Sequence, residues 1–139
     1  MAAHRFPRTA RLKQRRLIRA LFDRRRAEVH HLAVGSVRLV YRVIGATSSE
    51  SDAPVQVGFA PGRRVGNAVR RNRIKRLMRE VYRVQQHDLV DLFSRLDQRL
   101  TLMVLFRGDP ATAAHDVPAD LERALGKLAQ RLRDQRSLQ

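Results

Sequence analysis

From Gly66 to Arg83 the chain can bury only one side of a helix, and that constrains everything packed around it. Ile74, Leu77, Met78 and Val81 recur at i, i+3, i+4 and i+7, so they form one apolar stripe. At about 100° per residue, Arg71, Asn72, Lys75, Arg76, Arg79 and Arg83 fan across the other side, with Arg73 at the far edge. The segment must lay its stripe on a core while cations and an amide face outward. Asn67 is a good N-cap, because its side chain can accept from a free backbone N–H of the first turn. The expected helix runs from about Asn67 to Gln86.

The charge is concentrated as a binding surface requires. Of 139 residues, 29 are Lys or Arg and 13 are Asp or Glu, a formal charge of +16. Residues 1–26 hold ten basic side chains and one acid, and residues 63–83 hold nine and one. The remainder is close to balanced. Two cationic segments on a near-neutral background are the electrostatic footprint of a nucleic-acid-binding protein. With a single acid in its length, the basic helix does not exist for i,i+4 ion pairing.

The rest of the chain supplies a scaffold. Residues 1–10 are basic, contain Pro7 and show no period, which reads as a flexible arm. Lys13–Arg26 reads as a helix with Leu17, Ile18, Leu21 and Phe22 on one face. Glu28–Gly35 reads as a connection. Val37–Ile44 alternates: Val37, Leu39, Tyr41 and Val43 share one face, while Arg38 and Arg42 point the other way and are expected to be solvated. After a Ser- and Asp-rich loop, Val55–Ala60 is a second strand, expected to pair antiparallel with the first. Asp88–Leu96 is a short helical piece or loop, and Leu100–Phe106 is a third, central strand. Pro118–Arg133 is a last helix with a Leu121, Leu125, Leu128, Leu132 stripe. The order is that of an α+β domain, residues 11–139, with helices packed on one sheet.

Several chemistries are excluded. There is no Cys, so neither disulfides nor cysteine metal sites exist. His4, His30, His31, His87 and His115 show no metal-ligand spacing. Gly62-Arg63-Arg64-Val65-Gly66 lacks the phosphate-loop spacing and its Lys. No apolar run approaches the roughly 20 residues that span a bilayer. The N-terminus lacks the apolar stretch of a signal peptide, so a cytoplasmic location with no membrane partner is the expectation.

Arg11-Leu12-Lys13 before a short helix ending in Leu21-Phe22, then Val57-Gly58-Phe59, then Arg63-Arg64, then Val65-Gly66-Asn67-Ala68-Val69-Arg70-Arg71-Asn72-Arg73-Ile74-Lys75-Arg76, and finally Phe106-Arg107 stand in a telling order. This arrangement resembles the protein subunit of bacterial ribonuclease P, most specifically over residues 57–83. The resemblance implies a single-domain αβ-sandwich with a sheet of about four strands and a left-handed βαβ crossover. It implies an endoribonuclease holoenzyme that removes the 5′ leader from precursor tRNA. The RNA subunit carries the chemistry and binds most of the Mg²⁺, and this chain contributes no catalytic residue. Carried over by position, Arg63, Arg64, Asn67, Arg70, Arg71, Asn72, Arg73, Lys75, Arg76 and Arg79 fall on the surface that contacts ribonuclease P RNA. Arg11, Lys13, Ile18, Phe22 and Tyr41 fall on the cleft for the precursor's single-stranded leader. Ile18 stands where the family usually has Phe, and it cannot stack.

From the residues alone, Phe22 and Tyr41 suit a core edge as well as a cleft wall. A structural RNA-binding protein of ribosomal type would use the same basic faces. A protein-only nuclease would need clustered carboxylates or His beside the basic helix, and Glu80 is alone in residues 63–83.

Overall fold

The computed structural model describes residues 6–63 and 65–137, with no side-chain account of residues 136 and 137. Strands β1 (His30–Val34), β2 (Val37–Gly45), β3 (Val55–Ala60) and β4 (Gln98–Phe106) form one sheet in the order β1-β2-β4-β3. Helices α1 (Arg15–Leu21), α2 (Ala68–Gln85), α3 (His87–Ser94) and α4 (Ala113–Ser137) cover it.

The two faces of the sheet are filled differently. Val37, Leu39 and Tyr41 of β2, Val55 and Val57 of β3, and Leu100, Leu102, Val104 and Phe106 of β4 join the main core. Ile74, Met78 and Tyr82 of α2, Leu89 and Phe93 of α3, and Val117, Leu121, Leu125, Leu128 and Leu132 of α4 pack on them. The opposite face presents Val40, Ile44 and Met103, which meet Leu12, Leu17 and Leu21 from the α1 segment in a smaller cluster. Strict alternation along each strand produces both layers.

Besides the helix read over Lys13–Arg26, which spans only Arg15–Leu21 and ends at a Phe22 cap, three expectations are corrected. The segment read as a connection, Glu28–Gly35, contains β1, which pairs antiparallel with β2 from His30↔Tyr41 to Val34↔Val37. Its turn is the two residues Gly35-Ser36, with Gly35 at φ +54°, and a Gly-first two-residue loop matches strand twist in a hairpin. Second, β3 does not pair with β2. It runs parallel to β4, and β4 lies antiparallel to β2 between them. The long connection Ala46–Pro54 is no tight turn, so β3 can skip one position. Strand β4, buried on both faces from Leu100 to Val104, fills the gap. Third, α4 starts at Ala113, before Pro118. Asp109 caps a preceding 3₁₀ turn by accepting from the Ala111 N–H at 2.9 Å. Burial of Ala113 and Val117, four apart and in line with Leu121, draws the helix back across the proline.

The N-terminal arm divides. Residues 1–5 lie outside the described residues, but Phe6 packs edge-on against Phe59 and Tyr82, at 5.9 and 5.8 Å between centroids. Arg11 then bridges in parallel to Val57, and the Leu12 N–H donates to the Val57 carbonyl at 3.0 Å, so the segment borders the β3 edge before α1 begins. Among the described residues no helix is long and apolar enough to cross a membrane.

Candidate nucleic-acid interface

Helix α2 is fixed at its start and along one side. Asn67 caps it, its Oδ1 accepting from the Arg70 N–H at 2.9 Å. Ile74, Met78 and Tyr82 are fully buried, with Leu77 and Val81 half-buried beside them. Tyr82, absent from the apolar stripe expected from sequence, is its largest member. Its ring stacks edge-on with Phe59 at 6.0 Å, and its hydroxyl is buried without a partner among the described residues. Burial raises the Tyr82 pKa, so the phenol stays neutral.

Adding Tyr82 moves the buried seam toward Arg71 and Lys75, and the cations then separate into classes. Arg70, Asn72, Arg73 and Arg76 are exposed, while Lys75 and Arg79 are half-buried at the margins. Arg71 is not part of the outward fan. Its Nη1 donates to the Gly62 carbonyl at 2.8 Å and the Val65 carbonyl at 3.4 Å, clamping the loop that enters the helix. Gly62 allows that loop its shape: φ is +87°, and a Cβ there would stand 2.5 Å from the Phe106 carbonyl oxygen. Arg83 holds Glu80 through two hydrogen bonds of 3.1 and 2.9 Å. That bond lowers the Glu80 pKa and raises the Arg83 pKa, so one member of the fan is ion-paired after all. Arg63 is exposed and lines a 720 Å³ cavity with Pro61, Gly62, Val65, Phe106 and Arg107. Arg64 lies outside the described residues.

The second basic surface lies on the other side of the sheet. Where α1 ends, a 340 Å³ cavity opens between the helix and the strands. Its lining includes Phe22, Arg24, Arg26, His31, Arg38 and Arg107. Phe22 is 51% exposed, so part of its ring is open to solvent at this cavity. Burial first, and then Arg38, His30 and Arg107, lower the His31 pKa. Leu105 and Arg107 border both this cavity and the one beside Arg63.

Of the five residues assigned to the cleft by resemblance, only Phe22 lines this cavity. Ile18 packs half-buried within the α1 cluster. Arg11 and Lys13 are exposed on the approach to α1, and the Arg11 guanidinium lies 5.7 Å from the Phe6 ring. Tyr41 is on the opposite face of the sheet, 1% exposed. Its hydroxyl accepts from Arg131 Nη1 at 3.1 Å, and its ring lies 5.5 Å from that of His30. Its placement follows from alternation with Leu39 and Val43, which makes it a core residue and removes it from the set that Phe22 joins.

Sequence reasoning missed Arg38, which it placed in open solvent, and also Arg24, Arg26 and His31. A signal was present: the apolar stripe of α1 needs a partner, and the only sheet face not already claimed by α2 and α4 is the one carrying Arg38 and Arg42. Among the described residues, no three His, Asp or Glu side chains converge as metal ligands. Chemically, the arrangement offers phosphate contacts on two surfaces and one exposed ring.

A family model described as Ribonuclease P matches residues 6–133. The ribonuclease P protein component of Natranaerobius thermophilus is 44% identical over 54 residues, 39% of this chain and 43% of that protein. The chain thus spans less than half the length of that relative. The component from Symbiobacterium thermophilum is 32% identical over 108 residues, 78% of this chain and 76% of that one. In fold, the chain is similar to the ribonuclease P protein from Thermotoga maritima, with a TM-score of 0.60 over 87% of this chain and 96% of that one at 21% identity.

Proposed function

The chain belongs to the bacterial ribonuclease P protein family, and from that premise we propose that it is the protein subunit of a ribonucleoprotein that matures the 5′ end of tRNA. In this reading the exposed side of α2 binds ribonuclease P RNA, and the cavity beneath α1 holds the leader of precursor tRNA. The RNA subunit cleaves the phosphodiester and binds the Mg²⁺ that the reaction needs. This chain supplies positioning and charge. The left-handed sense of the crossover from β3 through α2 and α3 to β4, and a cytoplasmic location, belong to the same reading.

The observation that carries the proposal is the exposed set Arg70, Asn72, Arg73 and Arg76 on a helix whose other side is locked into the core. A helix already held by the core needs no backbone ordering on meeting a polyanion, and each cation displaces condensed counterions from the RNA. Each also reduces the repulsion between two RNAs brought together. The protein's effect is therefore largest at low Mg²⁺, where less of that repulsion is already neutralised.

A purely structural RNA-binding role would use α2 equally well. The second cationic cavity with its half-exposed Phe22 favours the subunit reading, because a scaffold has no need to hold a single strand on the far side of the sheet. The test is cleavage of precursor tRNA by a bacterial ribonuclease P RNA at low Mg²⁺, with and without this protein, and with the protein alone. Cleavage at the mature 5′ end is expected only when RNA and protein are combined. Binding without stimulated cleavage would move the structural role to first place, and cleavage by protein alone would overturn both.

A further inference from the structure

We propose that Asp120, acting through Ser36, is a positioning residue for Arg107, and that Arg107 so placed meets an RNA phosphate where the two cationic surfaces adjoin. The inference rests on the RNA-binding reading above and adds to it a residue of α4 that lines neither surface.

Arg107 is shared by the two sides. It is exposed, and it borders both the cavity beside Arg63 and the cavity beneath α1. It follows directly on Phe106, the last residue of β4, whose ring is buried in the main core. The ladder pairs Phe106 with Val37 and then gains one more bond, in which the Arg107 N–H donates to the Ser36 carbonyl at 2.7 Å. The backbone of Arg107 is therefore placed by Ser36. Ser36 itself belongs to a two-residue hairpin turn at the end of the sheet. Such a turn opens locally unless a contact from outside the hairpin holds it.

Asp120 supplies that contact. Its Oδ2 accepts from the Ser36 N–H at 2.8 Å and from the Ser36 hydroxyl at 2.7 Å. Both bonds end on one carboxylate oxygen, and bonds to an ionised acceptor are about twice as strong as neutral ones. Ser36 is 8% exposed, so their loss would leave a buried N–H unpaired. The carboxylate stands on a fixed base, because Val117, Leu121 and Ala124 of the same helix are fully buried. The junction is also close-fitting on both sides. A Cβ at Gly35 would stand 2.4 Å from Asp120 Oδ2, and one at Gly108 would stand 2.6 Å from the Ser36 Cβ. Asp120 lines neither cavity, and its negative charge opposes a polyanion nearby. Whatever it contributes to RNA binding therefore comes through the geometry it imposes on Ser36 and Arg107.

The test measures two affinities apart: the protein for ribonuclease P RNA, and the reconstituted holoenzyme for precursor over mature tRNA. Arg107→Met should weaken one of them roughly tenfold, the worth of a charge-assisted hydrogen bond, and the affinity that falls tells which RNA supplies the phosphate. Asp120→Ala should weaken the same affinity about fivefold, and that loss should vanish when position 107 is already Met. Asp120→Asn keeps an acceptor for Ser36 and should bind within about twofold of the parent. Ser36→Ala removes one of the two bonds to Asp120 and should show a smaller loss with the same dependence on Arg107, which serves even where Asp120→Ala folds poorly. Amide exchange in the free protein reads the linkage without RNA: Asp120→Ala should speed exchange at Ser36 and Arg107, and Asp120→Asn should restore protection. The proposal is overturned if Arg107→Met leaves both affinities unchanged, if the Asp120→Ala loss persists undiminished beside Arg107→Met, or if Arg107 exchange is the same with and without the carboxylate. A parent protein that binds neither RNA defeats the functional reading as well. Faster exchange with additive binding losses defeats this proposal alone.

Discussion

The outer side of α2 and the floor of the α1 cleft both carry arginines that the sequence pattern points away from the main core, yet they end in different surroundings. On α2 the side away from the core is water, and Arg70, Arg73 and Arg76 stand in it. On β2 the side away from the core lies beneath a second helix, and Arg38 and Arg42 are half-buried with donors unused. Periodicity tells which side of an element avoids the core. It does not tell whether that side meets solvent, because a strand has two faces broad enough to pack and a surface helix has one stripe.

The comparison breaks most completely if α2 is loosened from the core. Met78→Ala removes a fully buried side chain and should cost about 2–5 kcal/mol of stability. Thermal unfolding would measure it, and RNA affinity should fall with the folded fraction. A mild loss would mean that the helix is held by its charges and not by its seam. Within the helix, Arg71→Ala and Arg73→Ala should part company. The first removes the clamp on Gly62 and Val65 and should destabilise the fold by about 1.5 kcal/mol. The second should leave stability within about 0.5 kcal/mol. It should lower the salt slope of binding to ribonuclease P RNA by about one.

Phe22→Ala sharpens the contrast from the cleft side. A half-exposed ring contributes little to folding, so the melting temperature should barely move. Precursor binding relative to mature tRNA should weaken by about 1 kcal/mol, the low end of the worth of one base stacked on a ring. If the domain unfolds instead, Phe22 belongs to the core.

The smallest effect concerns His31. Burial, Arg38, His30 and Arg107 lower its pKa from the ordinary 6.5, while Asp23 of the same cavity is bound by Arg25 and Arg26. The folded, unbound protein therefore holds fewer protons than the unfolded chain. The stability linked to this group is full above about pH 6.5 and is lost as pH falls through the lowered value. A phosphate beside Arg38 and Arg107 favours the charged form, so strand binding takes up a proton and strengthens on acidification. Binding isotherms between pH 5.5 and 7.5 should show a gain of a few-fold, and His31→Gln should flatten it.

Much of the molecule was legible from local pattern. The bounds of β3 and nearly those of α2 follow from apolar period and from Asn67 as a cap, and the leucine stripe of α4 lies where its spacing placed it. The Gly35-Ser36 turn was also legible as a hairpin signal, though two adjacent histidines at the start of β1 obscured it. The cleft was harder. Tyr41 matched a family position by sequence, but its neighbours Leu39 and Val43 commit it to the main core. A change of one residue in register reverses the side a strand residue faces.

By itself the sequence determined the α+β element order, the family, the cationic helix and the concentration of charge in two segments. These are set by periods of 3.6 and 2 and by residue types within a few turns of each other. Tertiary structure alone decided that β4 enters between β2 and β3, that Arg71 serves a loop while Arg73 faces out, and that Arg38 lines a cleft while Arg42 is mostly buried beside Glu28. Each depends on which element covers which face, and that is fixed by contacts between residues far apart in the chain, where no local period reaches.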